Sequence, residues 1–143
     1  MSEPSWDELQ QGDEAPSKTV DPVTLTDIVR YQGASGDLNP LHHDDDYARA
    51  AGFERAFSAG MFQAGVVVAL AASWLGPERV RRVRTRFRTM LWPGDTLTCS
   101  VTVTGKRVVD GERLVDVALV ARGGHEVVVE GDAVFSFGRD EAG

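Results

Sequence analysis

Apolar and polar positions follow two different rhythms along this chain, and the change falls near Pro77. Between Gly60 and about Trp74 the residues are apolar almost without interruption. Met61, Ala64, Val68, Ala71 and Leu75 mark one helical face, and Val66, Val67, Ala69, Leu70 and Ala72 cover most of the rest. A helix apolar nearly all round is expected to be buried on most sides. Its small residues, Ala64, Gly65, Ala69, Ala71 and Ala72, allow other backbone to come close. After Pro77 the pattern becomes strand-like. Val83-Arg84-Thr85-Arg86-Phe87-Arg88 alternates strictly and predicts a half-buried strand. A turn at Pro93-Gly94-Asp95 leads into Thr96 to Lys106, where Leu97, Cys99, Val101 and Val103 share a face. Asp110-Gly111 is a strong hairpin signal, and Arg122-Gly123-Gly124-His125 separates Leu114–Ala121 from Glu126–Phe137. Connections this short make consecutive strands antiparallel neighbours.

Two shorter helices precede these elements. Thr24 to Tyr31 predicts one, with Thr24 as N-cap and Asp27 at the capping-box position, ending in a loop from Gly33 to Pro40. Asp44 to Ala51 predicts the other; its acidic first turn suits the helix dipole, and Gly52 follows as a stop. The fold class is therefore α+β: a single domain over 18–138 in which an antiparallel sheet wraps one long helix. Residues 1–17 are expected to form a poorly ordered lead-in, onto which Trp6 and Leu9 still offer packing, and 139–143 a tail.

Composition narrows the function classes. With 143 residues the chain is large enough for one core and too short for two ordinary ones. The longest apolar run, Ala64 to Leu75, is too short to span a bilayer, so no membrane role is expected. The N-terminus lacks the charged-then-apolar pattern of a signal peptide. One cysteine excludes an internal disulfide and suits a reducing compartment, which points to the cytoplasm. A net charge of −7 argues against a nucleic-acid partner. Six of the 15 Lys and Arg residues nevertheless fall between Arg79 and Arg88, a local basic stripe suited to a small anionic ligand or a partner subunit.

The most informative stretch is Ser35-Gly36-Asp37-Leu38-Asn39-Pro40-Leu41-His42. Pro40 disfavours helix at Asn39 and Gly36 is free to turn, so a carboxylate and an imidazole are held on one bent loop. Such a pair can activate a water by general acid–base chemistry; an ordinary Asx turn beside a surface histidine is the bland alternative. Asn39 either orients that water or holds the turn. Ser58-Ala59-Gly60-Met61 opens the long helix, where free N–H groups favour negative charge. A thioester carbonyl placed there would have its developing negative oxygen stabilised by the Gly60 N–H; otherwise Gly60 is a tight entry into a buried helix. His42-His43-Asp44-Asp45-Asp46 is read as an acidic first turn rather than a metal site, since consecutive residues rarely converge on one ion. His125 belongs to a turn and Cys99 to the core. Arg82, Arg84, Arg86 and Arg88 share one strand face, suited to phosphates or to pairing with the chain's many acids.

These residues resemble a known family. Ser35 to His42 followed by Tyr47-Ala48 is similar to the motif of the MaoC-like, R-specific enoyl-CoA hydratases, and the likeness continues through Gly60-Met61, Arg86-Phe87 and Trp92-Pro93-Gly94-Asp95-Thr96-Leu97. The resemblance implies a hot-dog fold and syn addition of water across a trans-2-enoyl thioester to give a (3R)-3-hydroxyacyl thioester, or the reverse. It implies Asp37 and His42 as the groups that hold and activate the water, Asn39 as their support and the Gly60 amide as the group polarising the carbonyl. Ser58, Ala59, Met61, Arg84, Arg86 and Arg88 become candidate substrate contacts. It implies no metal and no redox cofactor; coenzyme A or acyl carrier protein is the substrate's handle. It further implies a homodimer or higher homo-oligomer, or a heteromer with a second hot-dog chain. Many members carry His-Gly-Met where this chain has Ala59-Gly60-Met61. Acyl-CoA hydrolysis and a non-catalytic subunit role are the alternative functions.

Overall fold

The computed structural model describes residues 2–140. Five strands form one antiparallel sheet: β1 (Lys18–Val20), β2 (Val80–Phe87), β3 (Leu97–Val109), β4 (Glu112–Gly123) and β5 (Glu126–Arg139), in the spatial order β1-β3-β4-β5-β2. Three α-helices precede β2: α1 (Leu25–Ser35), α2 (Asp45–Ala50) and α3 (Gly60–Leu75). The ladder registers shift within β3–β4, β4–β5 and β2–β5. Such bulges bend strands and raise their twist, and here the sheet curls around α3. Leu97, Cys99, Val101 and Val103 of β3 face inward with Val115, Val117, Leu119 and Ala121 of β4 and Val129, Ala133 and Phe135 of β5, all buried. The Cys99 thiol lies in this layer, and burial pushes its pKa up to about 11.

The face of α3 that meets the sheet differs from the expected one. Ala64, Val67, Ala71, Trp74 and Leu75 are buried, whereas Met61 is 55 % exposed and Val68 half-buried. A helix apolar all round gives no sidedness of its own; the sheet supplies it. The exposed stripe, Met61, Gly65, Ala69 and Ser73, keeps a small or flexible residue at each turn.

Strand β2 departs from its alternating pattern for a related reason. It stands at the sheet edge, and both faces are open, with Val83 and Phe87 exposed as well as the arginines. The opposite edge is covered. Within the segment expected as a loose lead-in, residues 12–15 run along β3: the N–H groups of Gly12 and Ala15 donate to the Val103 and Val101 carbonyls, and Asp13 O accepts from Val103 N. Leu9 and Ala15 are buried, and the Lys106 ammonium sits 4.4 Å over the Trp6 ring while donating to the Trp6 and Leu9 carbonyls. This backbone pairing satisfies a strand edge that would otherwise present unpaired groups. Arg139 closes β5 and Asp140 follows it, its N–H donating to the Gly111 carbonyl; the rest of the expected tail, 141–143, lies outside the described residues.

Where β5 meets β2 the backbones come unusually close. A Cβ added at Gly131 would lie 2.0 Å from the Arg84 carbonyl oxygen. Gly131→Ala must therefore push β2 off β5, and we expect a loss of about 2–3 kcal/mol of stability, measured as a lowered urea midpoint. An unchanged midpoint would mean that β2 can stand off from β5 at no cost.

Candidate active site

The loop that carries Asp37 and His42 is built from its helix outward. Thr24 and Asp27 cap α1 reciprocally: Thr24 Oγ1 accepts from the Asp27 N–H, and Asp27 Oδ2 from the Thr24 N–H. These bonds hold the Asp27 carboxyl below its usual pKa. The helix passes through Gly33 and runs to Ser35, one turn beyond its predicted end. It stops at Gly36, whose φ of +80° is the left-handed conformation that glycine adopts freely and whose N–H donates to the Gln32 carbonyl. Asp37 Oδ1 then accepts from Asn39 N at 3.3 Å, and Asn39 Oδ1 from Leu41 N at 3.1 Å, which caps the short 3₁₀ turn Pro40–His42. Asn39 thus spends its carbonyl oxygen on holding the turn.

The turn presents His42 inward. Its Nδ1 lies 2.8 Å from the Phe57 carbonyl oxygen, an acceptor only, so Nδ1 carries the proton and the other ring nitrogen, Nε2, is left as an acceptor in the neutral ring. His42 Nε2 stands 3.8 Å from Asp37 Oδ2. That gap exceeds a hydrogen bond, yet one water can touch both atoms at ordinary distances. The imidazole is 11 % exposed and the carboxylate 50 %, so the pair has a closed side and an open one. An edge-to-face contact with Phe57 (5.3 Å between centroids) fixes the ring, and Phe57 is itself wedged between Phe53 and Trp92. The acidic run after His42 works structurally: Asp44 caps α2 through Tyr47 N, and Asp45 Oδ1 accepts from Ala56 N. Among the described residues no group of three His, Cys, Asp or Glu side chains is placed to hold a metal ion.

Phe57 also connects this pair to an adjoining cavity of about 410 Å³, lined by Phe57, Ser58, Gly60, Gln63, Phe87, Arg88, Thr89 and Met90. Gly60 opens α3 there, and a Cβ in its place would crowd the Phe87 ring at 3.1 Å, so that the ring would have to give by a few tenths of an ångström. Ala59 is buried and caps α3 without a side-chain bond. Ser58 is buried, its N–H donating to the Leu91 carbonyl. Met61 points outward and does not line the cavity. Of the arginines, Arg88 alone lines it, paired with Glu130; Arg84, which pairs with Asp132 at 3.4 Å, and Arg86, which stands opposite Glu130 in the ladder, lie outside the cavity lining.

Two glutamines escaped the sequence reading. Gln32 is buried, and its amide nitrogen donates to the carbonyls of Asp37 (2.9 Å) and Asn39 (3.0 Å) while its oxygen meets His43 Nδ1 at 2.9 Å. Its signal was there: it follows Ile28 by four residues, on the face that α1 turns to the core. Gln63, equally buried, accepts from Ser58 Oγ at 2.8 Å.

Residues 9–124 match the family model described as MaoC like domain. The chain belongs to the MaoC-like dehydratase family. It is 31 % identical over 131 residues to the (R)-specific enoyl-CoA hydratase of Rhodospirillum rubrum, a match covering 90 % of this chain and 88 % of that one. Two other curated relatives are longer, and the matches cover 25 % and 30 % of their length. Among solved structures it resembles the unliganded R-hydratase PhaJ1 of Pseudomonas aeruginosa, with a TM-score of 0.79 and 25 % identity over 96 % of this chain and 86 % of that one. It also resembles a chain of the ChsH1-ChsH2 complex of Mycobacterium tuberculosis, with a TM-score of 0.77 and 28 % identity over 89 % and 97 %. Its fold is the hot-dog fold of these MaoC-like proteins.

Gln32→Leu would strand two loop carbonyls and one imidazole nitrogen. We expect it to lower stability by roughly 1–3 kcal/mol and to speed amide exchange across 36–43. Unchanged exchange there would show that the loop holds itself.

Proposed function

We propose that this MaoC-like protein is a hydro-lyase that adds water to a trans-2-enoyl-CoA to give the (3R)-3-hydroxyacyl-CoA, or runs the reverse dehydration. One observation carries the reading: the Asp37 carboxylate and the His42 imidazole face each other across 3.8 Å on a loop anchored to α1. The (R)-specific hydratase relative, aligned over most of both chains, supports the same chemistry.

The steps follow from the geometry. A water between Asp37 Oδ2 and His42 Nε2 meets two acceptors, so its oxygen lone pair stays free for the substrate's β-carbon. As the C–O bond forms, one of the pair takes the water's proton and a proton returns to the α-carbon on the same face. Between these events the thioester oxygen carries negative charge. The Gly60 N–H, at the first position of α3, has no intrahelical partner and serves as its donor. The oxygen added and the proton returned both come from water, so the reaction balances with coenzyme A acting only as the handle of the acyl group.

Asp37 and His42 supply the acid–base chemistry, Asn39 holds their turn, and Gly60, Ser58 and Ala59 form the mouth of the helix. Arg88, at the cavity rim, is the arginine best placed for the anionic handle; Arg84, Arg86 and Met61, which do not line the cavity, would meet only a ligand reaching beyond it. An acyl carrier protein could present the same thioester. Val83, Phe87 and Met90 leave apolar surface exposed on β2 and just beyond it, with Met61 exposed on α3, and a second hot-dog chain, a copy of this one or a different subunit, would cover it. No helix among the described residues is long and apolar enough to cross a membrane. The single free buried cysteine supports a cytoplasmic setting.

Hydration is followed as loss of the conjugated thioester's absorbance with crotonyl-CoA. Asp37→Asn and His42→Ala should each reduce kcat by about 10²–10⁴-fold with unchanged circular dichroism. Wild-type rates in both variants would end the assignment.

A further inference from the structure

Gln63 is a polar side chain in the cavity that neither family resemblance nor loop architecture accounts for. It is 2 % exposed, yet it lines the cavity beside Gly60 and among Phe57, Phe87 and Met90. Its oxygen is occupied by the Ser58 hydroxyl at 2.8 Å. Its amide nitrogen has no hydrogen-bond partner among the described residues, and it is not one of their sealed-off polar atoms. Buried donors are almost always partnered, so two N–H groups left open at a cavity wall call for an acceptor from outside the chain.

Position says which acceptor. Gly60 and Gln63 are three residues apart on the first turn of α3 and so lie on one side of the helix. Helical side chains lean toward the N-terminus, which brings the Gln63 amide toward the free backbone N–H of Gly60. Ser58 precedes the helix cap and takes the amide oxygen, which fixes the plane and leaves the nitrogen as the inward end. The geometry points to Gln63 Nε2 as a second donor to the thioester oxygen, converging with the Gly60 N–H, with Ser58 as the positioning residue that orients it. The inference rests on the hydratase reading above. A donor aimed at an oxygen that gains charge during addition is stronger in the transition state than in the ground state, so it acts on kcat more than on KM. Ser58–Gln63 then forms a side-chain route to carbonyl polarisation in a chain that carries Ala59 at the position before Gly60.

Two variants separate donation from packing. Gln63→Glu keeps an acceptor for Ser58 and offers no N–H; Gln63→Met keeps length and is apolar. We expect both to lower kcat with crotonyl-CoA by about 10²-fold with KM changed far less. Bound, unreactive butyryl-CoA labelled with ¹³C at the carbonyl should show its infrared C=O stretch shifted to lower frequency by the wild type, and less so by either variant. Ser58→Ala should give an intermediate loss. Wild-type kcat and an unaltered carbonyl shift in both Gln63 variants would overturn the assignment. Should neither variant fold, glutamine side-chain ¹⁵N resonances of the wild-type protein decide it: one buried NH₂ pair moves downfield with butyryl-CoA, and no movement overturns the proposal. Failure of the wild type to hydrate any enoyl-CoA sinks the hydratase reading instead.

Discussion

One buried amide governs the geometry of the acid–base pair. Gln32 reaches from α1 into the following loop and ties two of its carbonyls, at Asp37 and Asn39, while its oxygen holds His43. A loop with Gly36 at its start and Pro40 in its middle has few backbone bonds of its own, and its conformational entropy would scatter the Asp37 and His42 side chains. Fixing the carbonyls from behind leaves the carboxylate and imidazole free to face forward. The chemistry thus depends on a helix residue that takes no part in it.

From that anchor the structure builds in one direction. The cap at Gly36 turns the chain, the Asn39 bond closes the 3₁₀ turn, and the Phe57 carbonyl receives His42 Nδ1. Phe57 sits in the segment that the Asp45 carboxylate and the Leu91 carbonyl pin from either side, through Ala56 N and Ser58 N. The same segment enters α3 at Gly60. Acid–base pair and helix mouth therefore share a short, doubly held connection, which keeps their spacing constant while the cavity stays open toward β2.

Much of this was legible in the residues, because the signals were local. Thr24 and Asp27 form their capping box, Gly60 to Leu75 is one helix, and Asp110-Gly111 turns β3 into β4 with positive φ at both residues. The pairing of 12–15 with β3 was not legible, because it uses backbone groups that every residue carries and composition does not report. The orientation of α3 and the openness of β2 were hidden for another reason: sidedness of an all-apolar helix, and the place of a strand at a sheet edge, are decided by partners distant in sequence. Gln32 and Gln63 were overlooked because polar residues on core-facing helix positions look like breaks in a pattern until the group they satisfy is known.

The inward turn of Cys99 has a practical side. It is the chain's single sulfhydryl, packed under the sheet, and burial holds its proton on well above neutral pH. A disulfide dye mixed with the folded protein and an acyl-CoA thus has one source of thiolate to react with, coenzyme A set free from the substrate. Hydrolysis of the thioester can be read against a silent background, and a hot-dog protein that hydrates can be told from one that cleaves in a single cuvette.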